Sequence, residues 1–223
     1  NKNRTAESDY EVTYSENENG CTSTVKITGI GNYYGTITRN FQIVSAQNTP
    51  TPAPVSKTFK DAYNTYTVNK TGTSVTLKKP NSKVIITATI PSSVKANGKT
   101  YKVTAIAPNA FKNCRKLKQA TISKNVSSIG SGAFQGCSSL RTLKISSKVS
   151  SIGAKAFYDC KALTSVTIQS KKLTSGSVGK SAFAKAGRNN YKKLKVKVPK
   201  SRLSAYKKLL KAKGLSSKTK VTK

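Results

Sequence analysis

The chain has no histidine, no tryptophan and no methionine, and only seven carboxylates in 223 residues. Without histidine there is no His-based triad, no imidazole metal ligand and no side chain that ordinarily titrates near neutrality. Five of the carboxylates lie in residues 1–45, and beyond them only Asp61 and Asp159 remain. Carboxylates so far apart in the chain argue against paired acid–base chemistry, which needs two of them flanking one bond. There is no phosphate-cradling glycine loop. No run approaches the roughly 18 apolar residues of a membrane span. The four cysteines form no C-x-x-C pair, so neither a zinc knuckle nor a disulfide framework is indicated. These absences predict a non-enzymatic module with no cofactor and no metal. The lack of methionine predicts a mature form or a piece of a longer protein.

What is present is positive charge. Residues 1–45 hold four basic and five acidic residues, whereas the rest of the chain holds 37 basic residues against two acidic ones. A segment at +35 repels itself and attracts polyanions. Nucleic acid, acidic glycans, wall polymers and anionic membrane surfaces all carry the complementary charge. Nucleic acid is the weakest of these, because the chain has no Trp and no regular alternation of basic and aromatic residues to stack bases.

Composition shifts divide the chain. In residues 1–45, Val25, Ile27, Ile37, Phe41 and Ile43 mark strands, and Gly29, Gly31, Asn32 and Gly35 mark turns. The run from Gly29 to Ile43 resembles the closing hairpin of small bacterial immunoglobulin-like domains. It covers about half of one, so an exposed sheet edge and possible self-association are expected. Asn48-Thr-Pro-Thr-Pro-Ala-Pro54 reads as a semi-rigid linker, placed at 46–56. Residues 57–101 alternate again at Tyr66/Val68, Val75/Leu77 and Val84/Ile86/Ala88/Ile90, with turns at Lys79-Pro80-Asn81 and Ala96-Asn97-Gly98. They read as a β cap over the segment C-terminal to them.

A repeat then sets in. Phe111, Phe134 and Phe157 are 23 residues apart, as are Cys114, Cys137 and Cys160, and Leu117, Leu140 and Leu163. Val103/Ile106, Val126/Ile129 and Val149/Ile152 keep the same step. A fourth unit, with three inserted residues, carries Val178, Gly179, Ala182 and Phe183, then Tyr191, Leu194 and Val196. A unit this short cannot bury its own apolar residues, so units must stack into a shared core. Leu117-x-x-Ala120-x-Ile122 reads as an inward-facing strand, and Ala110-Phe111-x-x-Cys114 as a single helical turn opposite it. Phe and Cys are core residues on this reading, with the thiols free and buried.

The runs Ile129-Gly-Ser-Gly-Ala-Phe-Gln-Gly-Cys-Ser-Ser-Leu140 and Ile152-Gly-Ala-Lys-Ala-Phe-Tyr-Asp-Cys-Lys-Ala-Leu163 resemble the BspA-like leucine-rich repeat family of bacterial surface proteins. The resemblance spans about residues 85–198. It implies a right-handed leucine-rich-repeat solenoid of mainly short β-strands with single helical turns. It also implies an extracellular place, on the bacterial surface or secreted, and an adhesive or host-protein-binding role. No catalytic residue carries over. The expected organisation is a β segment at 1–45 and a repeat domain at 57–223. The latter comprises the cap at 57–101, four repeats at 102–198, and a helical cap and tail at 199–223. In the last part Ser201 is the expected N-cap, Gly214 the stop, and Leu203, Tyr206, Leu209 and Leu210 the buried stripe.

Function is left to the outward strand positions. Three columns are expected on the sheet face: Lys118, Arg141, Thr164 and Lys192; Gln119, Thr142, Ser165 and Lys193; and Thr121, Lys144, Thr167 and Lys195. The candidate ligand-binding residues are Lys118, Arg141, Thr142, Lys144, Ser165, Thr167, Lys192, Lys193 and Lys195. Expected partners are a host extracellular protein, an acidic glycan or a cell-wall polyanion. A structural spacer within a larger surface protein is the alternative.

Overall fold

The computed structural model describes residues 10–15, 22–29, 36–42 and 58–223. The chain divides into two compact units, Asn1–Val55 and Ser56–Lys223. In the first, β1 (Tyr10–Ser15), β2 (Thr22–Gly29) and β3 (Thr36–Gln42) form an antiparallel sheet in the order β1-β2-β3. Val25 and Ile27 fall on β2, and Ile37 and Phe41 on β3, as their alternation predicts. Ile43, Cys21, the glycines at 31 and 35, and the Pro-rich run lie outside the described residues.

The second unit is a solenoid with two sheets. It opens with β4 (Thr58–Lys60), β5 (Asn64–Val68) and β6 (Ser74–Pro80), then β7 (Thr87–Ile90), β8 (Ser93–Ala96) and β9 (Lys99–Ile106). The repeats supply β10 (Gln119–Ile122), β11 (Ser128–Ile129), β12 (Thr142–Ile145), β13 (Ser151–Ile152) and β14 (Ser165–Ile168). The chain then forms β15 (Lys195–Lys197), helix α1 (Leu203–Ala212) and β16 (Lys220–Thr222). One sheet runs β16-β15-β14-β12-β10-β7, all parallel, and the other runs β13-β11-β9-β6-β5-β4, with β8 paired to β9.

The stack is longer than four repeats. Ala88 pairs with Ala120 and Ile90 with Ile122, so β7 is the first rung of the parallel sheet. The step between these rungs is 32 residues instead of 23 because the β8–β9 hairpin is inserted. That hairpin turns at Asn97 and Gly98, both at positive φ (49° and 72°), the conformation a two-residue type I′ turn requires. At the other end, Val221 of β16 pairs with Val196 and adds a last rung from the expected tail.

The core is continuous. Leu117, Leu140 and Leu163 are at most 1% exposed, and so are Phe111, Phe134 and Phe157. The four phenyl rings, Phe183 included, stack at 4.8, 5.5 and 5.3 Å between centroids. Each burial stabilises by about 1.5–3 kcal/mol. The segment around each Phe is a hydrogen-bonded turn and not a helical turn. Asn109 and Asn113, and in the third repeat Lys155 and Asp159, sit at positive φ, which interrupts helical backbone. Their amides then point along the stack: Asn109, Phe111 and Asn113 N–H donate to Ser131, Ala133 and Gln135 carbonyls. Left-handed residues thus turn a would-be helix into a third hydrogen-bonded wall between rungs.

Helix α1 closes the far end. Tyr206, Leu209 and Leu210 are buried, and Leu203 packs against the core. Tyr206 Oη donates to Ser170 O at 2.9 Å and accepts from Leu173 N–H at 3.1 Å. Gly214, at φ 97°, ends the helix in a Schellman arrangement, with Leu215 N–H on Leu210 O and Gly214 N–H on Lys211 O. Ser201 is not the N-cap. It lies within a 3-10 turn at Lys200–Arg202, and Arg202, with no side-chain cap, precedes the helix. Pro199 starts that turn early, so the helix enters through backbone geometry.

Candidate functional site: the open face of the parallel sheet

Strand alternation fixes what this sheet shows to solvent. Ala88, Ala120, Leu143, Val166, Val196 and Val221 form one inward column, and Ile90, Ile122, Ile145 and Ile168 the next. The residues between them point outward. In-register parallel pairing lines them up at about 4.8 Å per strand. One outward column is Thr87, Gln119, Thr142, Ser165, Lys195 and Lys220, and another is Thr89, Thr121, Lys144, Thr167, Lys197 and Thr222. Lys118, Arg141 and Thr164 precede their strands as a third. Arg141 N–H donates to Lys118 O at 2.8 Å, and Thr164 N–H to Arg141 O at 3.0 Å.

Seven of the nine candidate residues therefore share one face: Lys118, Arg141, Thr142, Lys144, Ser165, Thr167 and Lys195. The strand of the fourth repeat is displaced by two residues from the expected register. Lys195 pairs with Ser165, not Thr167, and Lys197 takes the place beside Thr167. The extra residues between Ala186 and Leu194 fold into a turn, with Asn190 N–H on Gly187 O and Lys193 N–H on Asn190 O. Lys192 and Lys193 lie in that turn and are not strand positions. A slip of two preserves which side chains face out, because the strand period is two. Lys197 and Lys220 are the face residues that the sequence reading missed. The triplet Lys-Val-Lys and its echo Lys220-Val-Thr222 carried the signal, an apolar residue between two polar ones.

The face is electrostatically one-sided. Lys118, Arg141, Lys144, Lys195, Lys197 and Lys220 are exposed, and Thr121, Thr142 and Thr167 are half-buried among them. No carboxylate lies on these strands. Asp61 is used in the cap, where one oxygen accepts from Tyr63 N–H at 2.8 Å and Asn64 N–H at 2.6 Å, and the other from the Tyr66 hydroxyl at 2.9 Å. Asp159 lies on the turn wall with Arg188 at 3.1 Å, close enough for an ion pair but not aligned as a hydrogen bond. Two unit charges about 5 Å apart repel by roughly 1 kcal/mol even in water.

The thiols of the repeats lie in the core. Cys114, Cys137 and Cys160 are free and buried. Cys137 Sγ donates to Phe111 O at 3.0 Å and Cys160 Sγ to Phe134 O at 3.1 Å. Burial pushes the Cys137 thiol up to about 12 and the Cys160 thiol well above its ordinary value. Among the described residues no cluster of three His, Cys, Asp or Glu side chains comes together, and no helix is long and apolar enough to cross a membrane.

Stacked rungs, a ladder of phenylalanines and an open parallel sheet define a leucine-rich-repeat solenoid. Residues 87–213 match the model of the BspA type leucine rich repeat region, in six copies, and the chain belongs to that family. The chain is similar to a leucine-rich repeat protein from Bacteroides ovatus, with 26% identity over 63% of this chain and 40% of that one (TM-score 0.48). It thus spans well under half the length of that relative. It is similar to another from Bacteroides capillosus, with 33% identity over 52% of this chain and 87% of that one (TM-score 0.46). A leucine-rich repeat protein of T. pallidum shares the fold at 20% identity, over 64% and 72% of the two chains (TM-score 0.52). No curated protein matches the sequence.

Proposed function

We propose that this chain is a non-enzymatic binding module of a bacterial surface or secreted protein, which uses the open face of its parallel sheet to hold a polyanionic partner. The observation that carries this reading is the set of six exposed basic residues, four on the strands and Lys118 and Arg141 directly before theirs, with no carboxylate on those strands. Hydroxyls of Thr142, Ser165 and Thr167 stand between them and offer hydrogen bonds to a polar ligand. An acidic glycan, a cell-wall polyanion or an acidic patch of a host extracellular protein meets these requirements. Binding relieves the repulsion within the face and releases counterions, so affinity falls as salt rises. Membership of the BspA-type family supports the surface location and the binding role.

The test is a titration of the full chain with heparin, followed by the same titration after charge reversal at Lys144, Lys195 and Lys197. The expected result is a loss of at least tenfold in affinity with the fold intact. Unchanged affinity in the variant overturns the assignment of the sheet face.

A further inference from the structure

The N-terminal end of the repeat unit carries a second surface of opposite character. A cleft of about 590 Å³ opens between the cap and the first rung, with Phe111, the first ring of the ladder, among its lining residues. Three consecutive residues of β7, Thr87, Ala88 and Thr89, all line it. Successive strand residues point to opposite faces, so all three can border the cleft only if it runs along the strand's edge. Among the described residues that edge is open, because β7 ends the six-stranded sheet. Gln119 N–H donates to Ile86 O, which sets the phase of the ladder. Residues 86, 88 and 90 bond toward β10, leaving the Thr87 and Thr89 amides and carbonyls facing outward. Neither has a backbone partner among the described residues.

Four large hydrophobic side chains are exposed among the described residues: Tyr63, at 77%, lines the cleft, and Val84 and Ile86, at 66% and 59%, flank the lining residue Ile85 in the chain. A solvent-facing cluster of this kind beside an unpaired strand edge is what a sheet that receives another strand presents. The charge of the rim selects the occupant. Lys95 lines the cleft and is exposed, Lys83 follows the lining residue Ser82 and is exposed, and the lining carboxylate, Asp61, already accepts three hydrogen bonds. A second copy of this chain would bring a further net charge of +34 to the contact. An acidic partner is favoured instead.

We infer that the β7 edge is a docking site for an extended, acidic segment of another protein, which adds to the sheet as a further strand and seats alternate apolar side chains in the cleft. This site adjoins the N-terminal end of the outward columns, at Thr87 and Thr89, and uses none of the basic residues of the sheet face.

Panning a phage-displayed library of random twelve-residue peptides against the full chain tests it, with counter-selection on the exposed-site variant Ile86→Lys. Enriched peptides are expected to alternate apolar residues with Asp or Glu. N-methylation of alternate amides in a selected peptide should weaken it at least tenfold, and the Thr87 or Thr89 amide should gain protection from hydrogen exchange on binding. Charge reversal at Lys144, Lys195 and Lys197 should leave this binding within about threefold. Failure to enrich any peptide over the counter-selected variant overturns the inference. So does binding indifferent to N-methylation, or a concentration-dependent dimer abolished by Ile86→Lys, which would make a second copy the occupant.

Discussion

At the scale of single residues, the repeat is governed by how closely one rung approaches the next. A Cβ on Gly153 would lie 2.3 Å from Ser131 N, and one on Gly130 2.4 Å from Pro108 N, so backbone meets backbone with no side chain to yield. Gly153→Ala is expected to destabilise by roughly 1–3 kcal/mol, the range for forced overpacking. Gly176→Ala, where nothing lies within 4 Å, is expected to leave stability within about 0.5 kcal/mol. Urea unfolding of the two variants checks both. The cysteines make a second residue-scale prediction. The Cys137 thiol is raised by burial, then by its neighbour Cys114, to about 12 from 9. A raised folded value favours the folded state fully below pH 9, and that contribution is lost as pH rises toward 12. Cys137→Ala should therefore show a shallower fall in melting temperature than the parent between pH 9 and 11. Alkylation of the buried thiols in the parent should proceed only through unfolding.

At the scale of elements, the strands were more legible than the turns between them. Alternation identified β5, β10, β12 and β14, because a half-buried strand must place apolar residues two apart, and Leu143/Ile145 and Val166/Ile168 do so. The Asn-Gly pair at 97–98 announced its hairpin for the same local reason. The turns around Phe111 and Phe134 read as helical because i, i+3 spacing is shared by a helix and by a hydrogen-bonded turn. The left-handed residues that distinguish them, Asn109 and Asn113 in the first and Gly132 and Gly136 in the second, are not of one chemical type. The strand of the fourth repeat misled through length: the turn after Ala186 adds residues whose number no local signal revealed, and it moved Lys195 by two places. The helix was legible at its end, where Gly214 permits the positive φ, and not at its start, where Pro199 and not Ser201 sets the geometry. Its role as a lid is tested through Tyr206. Tyr206→Phe removes a hydroxyl that satisfies both Ser170 O and Leu173 N–H in a buried place. The expected cost is about 1–3 kcal/mol, read from thermal or urea unfolding.

At the scale of the whole molecule, a segment carrying 37 basic and two acidic residues holds together against its own charge. Its core must outweigh that repulsion, and salt weakens the repulsion without touching the core. The melting temperature of the free chain should rise between 10 and about 300 mM salt, whereas affinity for a polyanion should fall over the same range. These opposite responses follow from one cause. A +35 segment is basic on many surfaces, so composition alone did not single out a face. The register aligns Lys144 with Thr167 and Lys197 on an open sheet, and the proposed site rests on that alignment. The most direct measurement compares two charge reversals of equal size in heparin titrations of the full chain. One is at Lys144, Lys195 and Lys197 on the sheet face, and the other at Lys112, Lys116 and Lys180, exposed away from the sheet strands. The first is expected to cost at least tenfold in affinity and the second less than threefold. Equal losses from the two would mean that binding follows total charge and that the sheet face is no site.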